Sequence, residues 1–336
     1  MTFKLEEESP VSKFRTIHAI ALSVAALLAV AAAHADWKPT KTVEVIVHTG
    51  PGGGNDVLGR AIANMMEKEK LLPVRMQVVN KPGGNGAVAA AAISEKKDDP
   101  HTIGLITSVW IAGPLTTSEA KITLHDLKPI AQLVREPAVI AVRADSRFKT
   151  LKEFIEAAKA KPGSLKQSGG SVTSRDNIVR LSLQHATGAK WAFVSFPGGG
   201  ERVAALLGGH VDIMVIEPQE AGEQVRAGKL RVLAQLAEPR LAAYPDVPTL
   251  KEAGYDVTTT PQIRAVVAPP QMPADAAAYW EERFTKLHET PSWRKYLHDN
   301  QLEDAFLHAA DLRKSIVETE KQLREQYQLA GIKTVR

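Results

Sequence analysis

"IVHTGPGGGND", residues 46–56, runs β-branched residues into a proline and three consecutive glycines. Upstream, "TVEVIVHTG" sets Val43, Val45 and Val47 on one face at the two-residue period of a strand. Downstream, "VLGRAIANMMEK" spaces Leu58, Ala61, Ile62, Met65 and Met66 at helical intervals. The stretch therefore joins a strand to a helix through bare backbone. The same signature returns as "KPGGNG" at 81–86, between "VRMQVVN" and "AVAAAAISEK", and as "FPGGGE" at 196–201, between "AFVSF" and "ERVAALL". A further strand, "TIGLIT", breaks at Ser108. This alternation predicts an α/β fold with parallel strands covered by helices.

At the carboxyl end of such a strand, the next helix presents up to four unpaired N–H groups and the positive end of its dipole. Glycine admits a ligand close to the backbone, and proline stiffens the loop's entry. A glycine run can also simply make a tight turn. Three runs in matching positions, two in one half of the chain and one in the other, favour anion binding in a crevice.

Past "LVREPAVIAVRADS" a second α/β block begins. "TLKE" at 150–153 caps the helix "LKEFIEAAKA", which stops before Pro162-Gly163. A helix from about Asp176 to Ala186, a short helix ending in Gly208-Gly209, the buried strand "HVDIMVI", and a last helix and strand through "KLRVLAQLA" complete it. "PQIRAVVAPPQMP" returns the chain to the first block, and three polar helices are expected after it. The expected domains are 36–136 plus 263–336, and 137–262. Crossings near 134–138 and 260–265 would leave a cleft between them.

Lys13 and Arg15 precede the apolar run "AIALSVAALLAVAAA", and "AHA" at 33–35 offers small residues at both recognition positions of a signal peptidase. Residues 1–35 are read as a signal peptide cleaved after Ala35. The run is shorter than the ~20 residues that span a bilayer, which disfavours a retained anchor. With no cysteine there is neither a disulfide nor a thiol to acylate, so a free periplasmic protein is expected. Its 336 residues, 44% hydrophobic and 24% charged, suit a packed fold, and the net charge of +4 comes from interspersed residues. No basic block and few aromatics are offered to nucleic acid.

Gly54 is followed by Asn55-Asp56 where a phosphate-binding loop needs Lys and Ser/Thr, and Asn55 also breaks a dinucleotide fingerprint. HExxH, GxSxG and metal-ligand histidine spacings do not occur. No catalytic residue, metal or cofactor is expected. Asp56, Asp176 and Glu217 could pair as acids in an enzyme, but Asp56 and Asp176 fall where helix caps are expected.

The succession "GPGGGND", "NKPGGNGAVAAAAI", "FPGGGERVAALLGGHVD" and "AGKLRVLAQLAEPRLAAYPDVPTLKEAGYDV" closely resembles the Bug family, the periplasmic solute receptors of tripartite tricarboxylate transporters. The resemblance covers essentially the whole mature chain. It implies a type II periplasmic-binding fold, two α/β domains joined by two crossover strands that close on a small organic carboxylate, di- or tricarboxylic or aromatic. It also implies delivery to membrane permease subunits by a monomer, or signalling to a sensor kinase.

The matching ligand positions are Gly52, Gly53, Gly54, Asn55 and Asp56, then Gly83, Gly84 and Asn85, then Thr107 and Ser108. From the second domain come Ser168, Gly169, Ser171, Thr173, Ser174 and Arg175, then Pro197, Gly198, Gly199 and Gly200, and Glu217. "SVTSRDN" departs from the family pattern and introduces Arg175. That arginine either holds a second ligand carboxylate bidentately or pairs with Asp176 or neighbouring acids. Glu201 and Arg264 match the branch that resembles tricarboxylate receptors.

Overall fold

The computed structural model describes residues 37–196, 198–237, 240–257 and 259–335. The signal-peptide reading of 1–35 and the candidate Pro197 lie outside them. The chain opens with strand β1 (Val43–Val47), the glycine loop and helix α1 (Gly54–Lys68). Leu58, Ile62, Met65 and Met66 of α1 are buried, the stripe read from their spacing. β2 (Met76–Asn80), α2 (Ala87–Glu95), β3 (Thr102–Thr107) and α3 (Val109–Thr116) repeat the unit. β1 pairs in parallel with both β2 and β3, as the alternation predicts.

β4 (Lys128–Glu136) ends this half, and Pro137 breaks it from β5 (Val139–Arg143) in a second sheet. There α4 (Leu151–Ala160), β6 (Lys166–Gly169), α5 (Arg175–Thr187), β7 (Ala192–Ser195), α6 (Gly199–Leu207), β8 (Ile213–Ile216), α7 (Pro218–Arg226) and β9 (Leu230–Gln235) follow. The chain returns as β10 (Gln262–Ala268), then α8 (Ala274–His288), α9 (Pro291–Asn300), β11 (Glu303–His308) and α10 (Ala309–Leu329). β11 corrects the expectation of helices alone at the C-terminus. The alternating pattern in "EDAFLH" is short and half-buried, and it pairs only at the edge of a sheet, beside β4.

The strand orders are β11-β4-β10-β3-β1-β2 and β7-β6-β8-β5-β9. Neither sheet is wholly parallel. β10 runs antiparallel to both β3 and β4, and β5 antiparallel to both β8 and β9. The strands that enter from the other half need no crossover helix and are free to insert in reverse. The register pairs Gln262 with Glu136, so departure and return share one rung of the first sheet. The fold is the two-domain α/β arrangement of periplasmic binding proteins.

Both faces of the second sheet are covered. Phe154, Leu183, Trp191 and Val215 fill one side, and Leu206, Met214, Ile216 and Tyr244 the other. On the first sheet's side, Ile106, Trp110, Leu312, Leu323 and Tyr327 form a cluster that also takes in Ile178 from α5. The halves therefore touch through apolar side chains as well as through the crossings.

Phe154 is fully buried with ring centroids 5.3 Å from both Phe148 and Trp191. Phe154→Ala is expected to lower unfolding stability by about 3–5 kcal/mol in urea titration. A loss below ~1 kcal/mol would show that this ring does not anchor the second core.

Candidate functional site

The loop between β1 and α1 is braced from inside. Gly52 has φ +78°, a conformation glycine enters without strain, and Gly53 N–H closes the turn on Gly50 O at 3.0 Å. The Asp56 carboxylate accepts from Gly52 N–H at 2.9 Å, Asn80 Nδ2 at 2.9 Å and Arg60 Nη2 at 2.8 Å. The bond from Arg60, first, and those from Gly52 and Asn80 hold its pKa down at about 2 against the effect of burial. Asp56 thus fixes the loop in shape.

Asn55 is fully buried. It donates to Leu105 O at 2.8 Å, and its Oδ1 accepts from Arg264 Nη1. The Arg264 guanidinium lies flat against Gly54, where a Cβ would come 2.5 Å from Nη2, so glycine here makes room for a cation. Arg264 Nη2 donates to Glu136 Oε1 at 2.6 Å, and Gln262 Nε2 to Glu136 Oε2 at 2.6 Å. Beside them burial, and then Arg264, pulls His48 down to about 4, which keeps its ring neutral.

Gly83, Gly84, Asn85 and Gly86 all have positive φ, from +52° to +130°. Gly86 packs on the Trp110 indole, 2.7 Å from where a Cβ would stand. Asn85 Nδ2 donates to Thr173 Oγ1 at 3.3 Å, a bond between the two halves. Thr107 Oγ1 accepts from Val109 N–H, and Ser108 Oγ accepts from Ile263 N–H at 3.0 Å, stitching the end of β3 to the return strand.

In the second half, Gly170 N–H donates to Asp176 Oδ2 at 2.7 Å, beside Gly169. Ser171 Oγ and Thr173 Oγ1 lie 3.1 Å apart, Ser174 stands at the N-cap of α5 with its hydroxyl donating to Ser171 O at 2.7 Å, and the Ser168 hydroxyl is buried without a partner. Arg175 donates through Nη2 to Glu217 Oε1 at 2.7 Å and through Nη1 to Glu136 O at 2.6 Å. Of the two readings left open, this conformation takes pairing, with Glu217 rather than Asp176.

Gly198 and Gly200 face open space, whereas Gly199 is packed against the Glu220 carboxylate. Arg202 Nη1 meets Asp176 Oδ2 at 3.0 Å, and its Nη2 meets Glu220 Oε2 at 2.9 Å and Glu217 Oε2 at 3.6 Å.

The site thus gathers Arg175, Arg202 and Arg264 with Glu136, Asp176, Glu217 and Glu220. Sequence reasoning missed Glu136, Arg202, Glu220 and Gln262 as members of it, and noted Arg264 only as a family feature. Arg202 and Glu220 did carry a signal, since each falls in the first turn of a helix after a candidate loop residue. A cavity of about 20 Å³ lies alongside, lined by Ser108, Thr173, Arg175, Ile178, Gln262 and Leu323. It has room for about one water and none for an organic acid in this conformation.

Burial, and next Glu217, pushes Glu220 up to about 7. Between its ordinary range and that value the folded chain holds a proton that the unfolded chain has lost. Glu220 therefore makes stability fall as pH rises through this window. Glu220→Gln should raise the melting temperature relative to the wild type more at pH 8 than at pH 5; equal differences at the two pH values would refute the raised pKa.

The geometry has relatives. Residues 58–331 match the tripartite tricarboxylate transporter family receptor, TctC. A UPF0065 protein from the gbd 5′ region of Cupriavidus necator is 31% identical over 302 residues, 90% of each chain. A TctC solute-binding protein from Polaromonas, solved without ligand, is 29% identical with a TM-score of 0.67 over 86% of this chain and 99% of that one. The periplasmic binding protein BugD, at 21% identity, shares the fold with a TM-score of 0.80 over 88% of this chain and 99% of its own. The chain belongs to the tripartite tricarboxylate transporter receptor family, a family of solute-binding receptors rather than enzymes.

Proposed function

We propose that this chain is an exported receptor that captures a small organic carboxylate between two domains, 36–136 plus 263–336 and 137–262, and passes it to the permease of a tripartite tricarboxylate transporter. Residues 1–35 would direct export and be cleaved off after Ala35 as the chain crosses the membrane. The observation that carries the reading is the meeting of predicted loop residues from both sheets at the paired crossing strands. Asn85 touches Thr173 and Arg175 reaches Glu136, at the rung shared by Glu136 and Gln262. A ligand held there contacts both domains at their hinge, and contacts present only in the closed form stabilise closure.

The first-turn amides of Gly54 and Asn55 have no acceptor within the helix, and Arg264 lies beside them. They supply a positive end for a carboxylate without a metal or cofactor. Isothermal titration with malate, succinate, glutarate, adipate, citrate and benzoate, together with their amine-bearing analogues, is expected to give one-to-one binding for at least one acid. The expected Kd is of the order of 1 µM, about −8 kcal/mol. Silence across the whole panel would overturn the reading.

A further inference from the structure

The two sides of the cleft carry opposite electrostatic character. On the first sheet's side Arg264 balances Glu136 and Arg60 balances Asp56, and the Gly54 and Asn55 amides add the positive end of helix α1, the Asp56 amide being taken by Thr49 Oγ1. On the second sheet's side Asp176, Glu217 and Glu220 form ion pairs with Arg175 and Arg202, three carboxylates to two guanidinium groups. The anion positions of that side are already held by the protein itself. Asp176 takes Gly170 N–H, and the Glu220 carboxylate packs on Gly199 at the start of α6. A ligand carboxylate brought there meets carboxylates.

A separate observation points to what belongs there instead. Glu217 is 6% exposed, and its Oε2 has no hydrogen-bond donor, with only Arg202 Nη2 at 3.6 Å. A buried acceptor on a charged group is strongly stabilised by a donor and costly without one. On the neighbouring arginine, Arg175 Nε is buried with no acceptor. The unfilled acceptor in an acid-rich wall calls for a cationic donor from the guest, while the guest's anionic end is left to the α1 side.

We infer that the site selects a zwitterionic acid, whose carboxylate lies toward the α1 loop and Arg264 and whose protonated amine is taken by Glu217 Oε2 and Glu220. This rests on the receptor reading above and adds to it the class of ligand and the residues that choose it. Glu220 is the adjustable part. It is faced by Arg202 from α6, Glu217 on its own helix, Glu136 from β4 and Arg264 from β10. Their sum, with burial, leaves it protonated below about pH 7. An amine therefore gains its partner as pH rises through that value, and a second ligand carboxylate is repelled over the same range.

The test titrates matched pairs into the purified mature chain at pH 6 and pH 8: L-glutamate against glutarate, and 5-aminopentanoate against adipate. The inference expects the amine-bearing member of the better-binding pair to win by about tenfold at pH 8. Its advantage should be smaller at pH 6, and Glu220→Gln, checked by its melting curve to be folded, should shrink it at pH 8. Equal or tighter binding of the dicarboxylates at pH 8 overturns the inference and leaves the receptor reading intact. So does binding of amine-free acids from the wider panel with no amino acid bound. Absence of binding by every acid tried overturns both.

Discussion

Arg264 and Glu136 form an ion pair shut away from water at the rung where the chain leaves the first sheet and where it comes back. Removing two charges from water is expensive, and their attraction repays it only when the remaining donors and acceptors are met. Here they are met by residues from distant parts of the chain. Asn55 from α1 accepts from Arg264, Gln262 donates to the second Glu136 oxygen, and Arg175 from the other half donates to the Glu136 carbonyl. The pair welds the first glycine loop to both crossings. It also explains a composition that propensity alone would not choose, because any side chain at Gly54 would strike the guanidinium. Within the three consecutive glycines, Gly54 is clearance for an internal cation.

From that weld the charge spreads outward. Arg175 links Glu136 to Glu217, Arg202 links Glu217 to Asp176 and Glu220, and Glu220 ends the chain against the third glycine loop. Such a network ties loop positions in both sheets to one another, so a ligand that takes one partner away disturbs the rest. The apolar contact of Ile178 with Leu323 and Tyr327 is of another kind, indifferent to charge and salt, and it joins the same two halves.

Local order in the sequence was readable where one element explains its own pattern. The valines of β1, the Leu58–Met66 stripe of α1, the Thr150 cap and the closing Gly208-Gly209 all announce their structure because a strand face, a helix face or a cap needs only nearby residues. What depends on partners far along the chain was not readable. The reversed directions of β10 and β5 follow from which sheet a returning strand joins, and β11 is a strand only because β4 offers an edge. In the site, the glycine loops and Arg175 stood out, while Arg202 and Glu220 looked like ordinary charges on helix surfaces. Their burial is set by the packing of α6, α7 and α5 around one point, which no short window contains. Asp56 combines both kinds, since its bond to Gly52 lies within one turn whereas Asn80 reaches it from β2.

In the proposed receptor, closure of the two domains about the Glu136–Gln262 rung retains the ligand. The chain has no cysteine, so two can be placed at will. Spin labels at exposed Asn64 of α1 and Lys152 of α4, each replaced by Cys, report the separation of the halves by pulsed dipolar spectroscopy. Saturation with a binding acid is predicted to collapse a broad or longer distance distribution into one short population. A distribution that stays the same while calorimetry shows the ligand bound would contradict capture by closure.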